Sequence, residues 1–503
     1  MSATGAPPVS AEGRVLAIAA VMASYMQAVN IAIPNAALSY MQGTLSMADD
    51  EIGWIFTAYL AATVVIMPTT PWLAGRFGRK MVFQVSLIIF TLGLWLDTLA
   101  ITPAQFVLAR IIQGAASGPF IPLSMTILIE VLTPARRAGI GLAMGASGLL
   151  GISSGPGIGG WLSDYHGWPS IFYFSVPMVG FILLAITLLL SEKKAAQPPP
   201  FDFFGFTALT MGMIGLQMVL DGGERLEWFV SPMIWVEAIV SVAGFYLFFV
   251  HILTKEVHFF NKGLLRNRNF VLSTIIYFAV GFVLLPTLAL TSPMLNELLN
   301  YPVDTTGYMA IPRGVTLVGV LLLMSFVPAR IDNRMLALGG LVIIAYANWR
   351  MLGYSPAMDW RAVAIAGFLQ GIGLAVSIWA LTRTSLSTLD QKLHAEGGAI
   401  FNVCRLYGST LGIAVVQIFF YSNTQAMHTA LAKDLAPYRV VAHVTATLAK
   451  PELAKLNEMI TGQAAVVSIL GQFKILFFAT VIVIPLVLFL QKPRPLAMAQ
   501  PRK

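Results

Sequence analysis

Charged side chains interrupt stretches of this sequence that are otherwise apolar. Asp97, Arg110 and Glu237 each stand inside such a stretch. Because a charge deep in a membrane costs about 3 kcal/mol or more, each needs a function or a partner. A carboxylate in apolar surroundings can take up a proton near neutral pH, so Asp97 and Glu237 are candidate proton carriers. Arg110 could form an ion pair, or its side chain could extend to the membrane interface. Arg313 and Arg405 could donate hydrogen bonds to backbone carbonyls.

The remaining polar residues form no recognisable catalytic or metal pattern. The six histidines occur in no HExxH or similar spacing, and no GxxxxGK[ST] phosphate loop is present. We therefore expect no metal, no cofactor and no ATP-driven step. The single cysteine, Cys404, excludes an intramolecular disulfide. His166 and His394 have acidic neighbours, but both stand in predicted loops, which leaves a membrane enzyme as a minor alternative.

Membrane helices are the elements that must position these residues. Of the 503 residues, 57% are hydrophobic and only 11% are charged, whereas a soluble domain carries about 25% charged residues. The net charge of +8 comes in small basic clusters between apolar runs. Such clustering is a topology signal and argues against nucleic acid as a partner. We expect a multi-pass protein of the lipid bilayer.

Fourteen apolar runs have lengths suited to membrane helices, which need about 20 residues. The runs lie near 15–40, 52–74, 81–101, 104–131, 139–163, 168–190, 204–221, 229–252, 269–292, 306–328, 335–354, 362–383, 397–421 and 470–490. The expected fold is therefore all-α, with both termini on one side. The loops on that side hold most of the lysines and arginines, which predicts that both termini are cytoplasmic.

A weak internal sequence repeat divides the apolar runs into two halves. "GRFGRK" after the second run is echoed by "PARIDNR" after the tenth, and "SGPGIGG" in the fifth by "RLYGSTLG" in the thirteenth. With runs 7 and 8 set aside, each half has six runs, an arrangement found in secondary transporters. The expected divisions are a cytoplasmic N-tail (1–14), a six-helix bundle (15–190), a linker (191–203), two extra helices (204–252), a basic cytoplasmic linker (253–268), a six-helix bundle (269–490) with a periplasmic loop (422–469), and a cytoplasmic C-tail (491–503).

Glycines of the fifth run fall on one face of a helix. At 100° per residue, an arc of about 80° contains Gly141, Gly145, Gly148, Gly155 and Gly159. Helices in lipid associate by close approach of their backbones, which small residues permit. The stripe therefore predicts a packing seam against a neighbouring helix. Pro156 frees a backbone carbonyl one turn earlier and predicts a kink or pivot there.

Short motifs occur in a fixed order along the chain. "WLAGRFGRK" follows the second run, "RIIQGAASGPFIPLS" lies in the fourth and "GISSGPGIGG" in the fifth. They resemble motifs A, B and C of major facilitator superfamily antiporters. "NIAIP", "WIFTAYLAA", "ERLEWFVS", "AIPRG" and "NVCRLYGSTLGIA" resemble the fourteen-span branch of that superfamily, the EmrB/QacA-like drug:proton antiporters. The resemblance runs from about residue 15 to 490.

The resemblance implies a fold, a function and site residues. The fold is two six-helix bundles plus two extra helices, and the function is export of amphipathic drugs or metabolites across the inner membrane in exchange for protons. The antiporter motif, which lies between the halves in the family, is matched by Gly151, Gly155, Pro156, Gly159 and Gly160. The cytoplasmic gating loop is matched by Arg76, Gly78, Arg79 and Lys80. Proton coupling is implied for Arg110 and Gln113, and Arg405 is a further candidate.

The sequence departs from the family pattern in the first span and in motif A. The family's first span carries an aspartate five residues before the asparagine that matches Asn30, and Tyr25 stands there instead. A phenol keeps its proton at neutral pH. We therefore expect Asp97, ahead of Glu237, to carry the proton, unless Asp97 is only a solvated residue near a helix end. Motif A lacks its usual first glycine and its acid, at Pro71 and Gly75, which puts in question the charge clasp that steadies the outward-open state in relatives.

The sequence indicates the substrate and the partners less directly than the fold. Without the first-span aspartate a cationic substrate loses a counter-ion, so we expect a neutral or anionic amphipathic molecule, with Tyr25 and Asn30 in its cavity. The polar segment 422–469 has helical periodicity. It is expected to fold in the periplasm, where it either touches a periplasmic adaptor that leads to an outer-membrane channel or caps the outer mouth. An importer or uniporter of a nutrient or siderophore-like solute on the same fold is the main alternative.

Overall fold

The computed structural model describes most of the chain. It covers residues 10–48, 51–132, 140–192, 200–255, 261–324, 326–327, 331–355, 358–390, 393–435 and 450–491. Within these ranges the chain is helical and contains no β-strand, so the all-α prediction is confirmed. Most of the two predicted tails, the middle of each predicted linker and residues 436–449 of the predicted loop lie outside the described residues.

Fourteen long helices run through the described residues, if a helix that continues through a bend is taken as one. They are α1 (Ala11–Leu45), α2 (Trp54–Phe77), α3 (Arg79–Leu99), α4 (Pro103–Val131), α5 (Ile140–His166), α6 (Ser170–Leu189), α7 (Phe203–Gly222), α8 (Pro232–Thr254), α9 (Arg268–Asn296), α10 (Val303–Met324), α11 (Asn333–Met351), α12 (Trp360–Ser387), α13 (His394–Leu435) and α14 (Lys450–Val483). A 3-10 segment, Ile484–Phe489, continues α14.

Twelve of these helices are long and apolar enough to cross a membrane. The two others are α5 and α11, which are 27 and 19 residues long. Glycine and serine lower the hydropathy of α5, and α11 has arginine and asparagine near both of its ends. The chain is therefore a multi-pass membrane protein, and the predicted count of fourteen spans depends on these two helices and stays a prediction.

Helix ends follow capping chemistry. The hydroxyl of Thr102 accepts a hydrogen bond from the Gln105 backbone N–H at 3.3 Å, and Pro103 occupies the first turn of α4. The side chain of Asn267 accepts from the backbone N–H of Phe270 at 2.9 Å and begins α9. Both satisfy backbone donors that have no partner inside the helix, so local sequence sets where these helices start.

Two six-helix halves pack by the same scheme. In the first half α1 packs against α4, α5 and α6, and α4 against α2 and α3. In the second half α9 packs against α12, α13 and α14, and α12 against α10 and α11. The halves meet where α5 packs against α10 and where α2 packs against α13. The predicted arrangement of two bundles of six is confirmed.

The extra pair, α7 and α8, packs together through small residues. A Cβ on Gly244 would lie 2.8 Å from the carbonyl oxygen of Ala208, and Ser241 Oγ donates to the carbonyl of Gly212 at 3.0 Å. Such close backbone approach is the usual basis of helix association in lipid. From this pair, α7 packs against α2 of the first half and α13 of the second.

The predicted loop 422–469 is largely helical in its described part. Residues up to Leu435 continue α13, and residues from Lys450 begin α14. With 42 residues, α13 is about 63 Å long, roughly twice the thickness of the hydrocarbon. His428 and Asn457 hydrogen-bond at 3.0 Å and join the two extensions. The drop in hydropathy at residue 422 therefore does not mark the end of the helix.

Candidate functional site

Arg110 is the centre of a buried polar network in the first half. Its side chain is 0% exposed. Nε donates to the carbonyl of Ile55 and Nη2 to the carbonyl of Asn30, each at 3.0 Å, and Nη1 donates to the side chain of Gln113. The guanidinium carbon lies 4.4 Å from the ring centre of Tyr59. Arg110 thus ties α4 to α1 and α2 in the protein interior, and a side chain that reaches for the interface is excluded.

Asn30 and Gln113 extend this network across the bundle. The two residues are fully buried, and Gln113 Nε2 donates to Asn30 Oδ1 at 3.2 Å. Asn30 Nδ2 in turn donates to Ser175 Oγ, at the start of the long segment of α6, at 2.7 Å. Gln113 follows Arg110 by three residues and therefore shares its helix face. The Arg110 network, which we define as Arg110, Gln113 and Asn30, links four helices of the first half.

Asp97 lies beside the Arg110 network without a hydrogen bond of its own. Its side chain is 0% exposed, and neither carboxylate oxygen has a hydrogen-bond partner. The cation that acts on it is Arg110. One turn earlier, Gly93 brings α3 against α4, since a Cβ there would lie 2.7 Å from Gln113 Cβ. This burial is not that of a solvated helix end, and a buried charge without hydrogen bonds is costly.

The glycines of α5 pack against both halves. On one side, a Cβ on Gly155 would lie 2.8 Å from Ala32 Cβ of α1. On the other side, a Cβ on Gly160 would lie 2.8 Å from the carbonyl of Val303, at the start of α10. A Cβ on Gly307 of α10 would lie 2.8 Å from the Pro156 carbonyl. The predicted packing seam is therefore present and includes the contact between the halves.

Tyr25 and Asn30 occupy two different environments. The Tyr25 hydroxyl lies 2.9 Å from Ser154 Oγ, across the contact of α1 with α5, whereas Asn30 belongs to the Arg110 network. A small gap lies between the halves, and its walls are mainly apolar. It is lined by Ile31, Ala32, Asn35, Phe56, Leu285, Leu288, Ala289 and Ile413. The walls of this gap suit an apolar group.

The other predicted coupling residues lie away from the Arg110 network. Arg405 of α13 stands 6.0 Å from the ring centre of Tyr277 on α9. Glu237 of α8 is 9% exposed, and the charge that acts on it is Arg225 in the α7–α8 connection. The structure therefore brings together Asp97, Arg110, Gln113 and Asn30, but places Arg405 and Glu237 elsewhere.

A second buried network, in the other half, was missed by the sequence reasoning. Gln370 Nε2 of α12 donates to Asn348 Oδ1 at 2.8 Å and to Thr287 Oγ1 at 3.1 Å. All three residues are buried. A Gln-Gly pair marks both networks, at 113–114 on α4 and at 370–371 on α12. That repeated dipeptide, within apolar runs, is the signal that could have found it.

The predicted gating loop is held by acids from other parts of the chain. Arg79 forms an ion pair with Glu130 at the end of α4, and the Met81 N–H donates to Glu192 Oε2 at 3.2 Å. Between α2 and α3, Gly78 adopts φ +92°, which a residue with a side chain rarely takes. Two acids that the motif does not contain therefore contact this loop, although the usual motif acid is replaced by Gly75.

Two matched six-helix halves, a glycine seam between them and buried charges within them define a secondary transporter. Comparison of the sequence with known families agrees with this class. Residues 16–413 match the Major Facilitator Superfamily, and the chain belongs to that family.

Individual relatives and solved structures show the same relationship. The chain is 28% identical to the multidrug export protein EmrB of Haemophilus influenzae over 88% of this chain and 87% of that protein. It is 29% identical to the fatty acid resistance protein FarB of Neisseria gonorrhoeae over 94% of each. A bacterial homolog of the human lysosomal transporter Spinster, in an inward-facing unoccupied conformation, shares the fold with a TM-score of 0.65 at 14% identity, over 98% of this chain and 100% of that one.

Proposed function

We propose that this transporter exports amphipathic molecules across the inner membrane in exchange for protons, and that both its termini are cytoplasmic. Relatives named for multidrug export and for fatty acid resistance support the direction and the type of substrate. The basic loops that face the side of the termini support the orientation. Neutral and anionic amphiphiles are the preferred substrates, because Tyr25 replaces the counter-ion that a cation would use.

The observation that carries the proton proposal is the position of Asp97. This acid is fully buried, makes no hydrogen bond and has Arg110 as the cation that acts on it. When a proton is bound to an Asp97 oxygen, Arg110 stays with the carbonyls of Ile55 and Asn30. When the proton leaves, the bare carboxylate attracts the guanidinium away from those carbonyls.

Such a shift of Arg110 would change the packing of the helices that alternate. The carbonyl that Arg110 would leave belongs to Asn30, on the helix that packs against the α5 seam. A change at α1 therefore reaches the contact between the halves through Ala32 and Gly155. This route connects proton release to the rocking of one half against the other.

The extensions of α13 and α14 are the part of the protein that we propose for contact with a periplasmic adaptor and an outer-membrane channel. They continue α13 and α14 past the predicted apolar runs and are joined to each other by His428 and Asn457. A cap over the outer mouth with no partner is the competing assignment.

Transport in proteoliposomes tests the proton proposal. Asp97→Asn should abolish accumulation of a fluorescent fatty acid driven by a pH gradient, yet keep counterflow, because exchange needs no net proton movement. Asp359→Asn is the matched control, since that side chain is 56% exposed. Glu237→Gln separates the second candidate acid. If transport ignores the pH gradient in the unaltered protein, a uniporter is the correct assignment.

A further inference from the structure

A side-chain hydrogen bond joins the two halves between α1 and α9. The hydroxyl of Ser292, on α9, donates to Oδ1 of Asn35, on α1. Both side chains are buried. Since α1 belongs to the first half and α9 to the second, this bond crosses the boundary along which the halves must move. We define Asn35 and Ser292 as the α1–α9 contact.

The α1–α9 contact lies at one end of the gap between the halves. Asn35 lines this gap together with Ile31 and Leu288. Asn35 follows Ile31 by four residues, and Ser292 follows Leu288 by four residues. Both are therefore about one helical turn further from the start of their helices. That direction leads to the periplasm in the proposed orientation, so the contact lies between the gap and the periplasm.

A break in α1 precedes Asn35. Residues Ile33–Ala37 form a 3-10 segment with Pro34 at its second position. Proline has no backbone N–H, so Pro34 cannot donate to the carbonyl of Asn30, four residues earlier. Arg110 Nη2 donates to that same carbonyl at 3.0 Å. Arg110 thus takes the place of the helix's own hydrogen bond at the break.

The segment Ile33–Ala37 contacts both halves. It packs against α9 and α10 of the second half and against α5 of the first. The fit to α5 is close, since a Cβ on Gly159 would overlap the carbonyl oxygen of Ile33. A change of direction at Pro34 would therefore alter contacts with both halves, the α1–α9 contact among them.

We propose that the α1–α9 contact is the periplasmic gate of the transporter and that Pro34 is the hinge through which Arg110 sets it. While Arg110 holds the Asn30 carbonyl, the segment after Pro34 keeps the direction in which Asn35 meets Ser292. When Arg110 leaves this carbonyl, no backbone N–H of residue 34 can replace it, so the segment can swing and the gate opens. The control by Arg110 rests on the function proposed above, whereas the gate itself does not.

Thiol labelling tests the gate without transport. In a Cys404→Ser background, Ala289→Cys places a thiol on the wall of the gap. An impermeant maleimide added from the periplasmic side should label it about fivefold faster when Ser292→Ala is added, the change in population that loss of one neutral hydrogen bond gives. Ser273→Ala is the matched control on α9, since its hydroxyl is buried and has no hydrogen-bond partner among the described residues. Equal labelling with Ser292→Ala and with Ser273→Ala would overturn the gate.

A covalent bridge tests whether the contact must open during exchange. Asn35→Cys with Ser292→Cys should be joined by a short bifunctional thiosulfonate, and counterflow of a fluorescent fatty acid should then stop and return on reduction. Gln84→Cys with Thr187→Cys is the control pair, because these side chains hydrogen-bond at 2.8 Å within the first half. Once bridged, that pair should exchange normally.

The outcomes separate the gate from the transport. Normal exchange by the bridged α1–α9 contact would contradict the gate. Absence of counterflow in the unaltered protein would instead contradict the proposed transport, and the labelling of the gap would still decide the gate.

Pro34→Ala tests the hinge. Alanine supplies the missing N–H, which can donate to the Asn30 carbonyl and hold the segment in its closed direction. The variant should insert normally, label more slowly at Ala289→Cys and exchange the fatty acid about fivefold more slowly, again the effect of one hydrogen bond. Pro103→Ala is the control, since a proline in the first turn of a helix replaces no internal hydrogen bond. Equal labelling and equal counterflow in the two variants would exclude Pro34 as the hinge.

Discussion

Gln113 and Asn30 join α4 to α1 through their side-chain amides, at a distance of 3.2 Å. Arg110 holds the backbone carbonyl of the same asparagine at 3.0 Å. Asn30 is therefore fixed at both its side chain and its main chain by one face of α4. Five residues earlier on α1 stands Tyr25, the position of the family's aspartate, so the polar network persists where the usual acid does not.

Arg110→Ala should reduce coupled transport by about a hundredfold or more. Removing one member of a buried charged network typically destabilises a protein by about 3 kcal/mol or more, because the remaining polar groups stay buried without a partner. Arg110→Lys should rescue poorly, since an ammonium lacks the planar fork that reaches both carbonyls. Accumulation in proteoliposomes measures the effect.

Arg361→Ala is the matched control for Arg110, because the Arg361 side chain is 75% exposed. It should transport normally. Full activity of Arg110→Ala would show that the network serves folding alone.

Tyr25→Asp restores the residue that the family resemblance leads one to expect. It removes the hydrogen bond of 2.9 Å to Ser154 and places an acid on α1. We expect uptake of a cationic dye such as ethidium to appear or to become more strongly coupled to protons. Tyr25→Phe removes the same hydrogen bond without adding an acid, so the dye should distinguish the two variants. Equal dye transport by Tyr25→Asp and Tyr25→Phe would show that loss of the hydrogen bond to Ser154, and not the added acid, causes the effect.

Gly155→Leu should insert and fold but lose export. A Cβ at this position already meets Ala32 at 2.8 Å, and overpacking of a tight contact costs about 1–3 kcal/mol or more. Membrane yield and counterflow are the two measurements. Gly180→Leu on α6 is the control, since no atom lies within 4 Å of the Cβ that it would add. Near-normal counterflow in Gly155→Leu would remove the seam from the mechanism.

The orientation of the termini is tested by labelling in intact cells. In a Cys404→Ser background, a cysteine at the exposed position Thr429 should react with an impermeant maleimide from outside. A cysteine at Arg76, exposed at the end of α2, should stay unlabelled until the membrane is opened. The reverse pattern would invert the topology.

Removal of residues 430–460 tests the helical extensions. The deletion takes away the tips of α13 and α14, including the partner of His428. Where an adaptor is required, efflux from cells that contain the adaptor should fall, while counterflow in proteoliposomes should persist. An equal loss of both activities would favour a cap over the outer mouth.

The sequence predicted the all-α fold and the order of the helices because hydropathy is a local property. Gly155 and Gly159 were also correctly assigned to a seam against α1, since a helical stripe of small residues has one common use in lipid. The network around Gln370 was not predicted, because its members lie on three helices: the Gln-Gly dipeptide at 370–371 could have marked Gln370, but it says nothing about the partners Asn348 and Thr287.

Pro71 and Gly75 show another limit of reading a motif. The absence of an acid at Gly75 put a charged contact of the gating loop in question, yet Glu130 contacts that loop from α4 and Glu192 contacts it from the segment after α6. Charge compensation in three dimensions does not have to come from the segment in which the motif is found. The acidic partners of the gating loop are therefore set by how the helices pack and cannot be counted from the motif.

The length of α13 has a mechanical consequence. About 20 Å of this helix, residues 422–435, lies beyond the predicted apolar run, given 1.5 Å per residue, and it is continuous with the part that packs against α9 and α2. Because the helix is a stiff rod, each degree of tilt displaces the tip by about 0.4 Å at that radius. A tilt of about ten degrees is thus a displacement of roughly 4 Å at the tip. The position of the tip therefore reports the conformation of the second half. A molecule bound to the tip would experience a displacement and not a change in the chemistry of the surface.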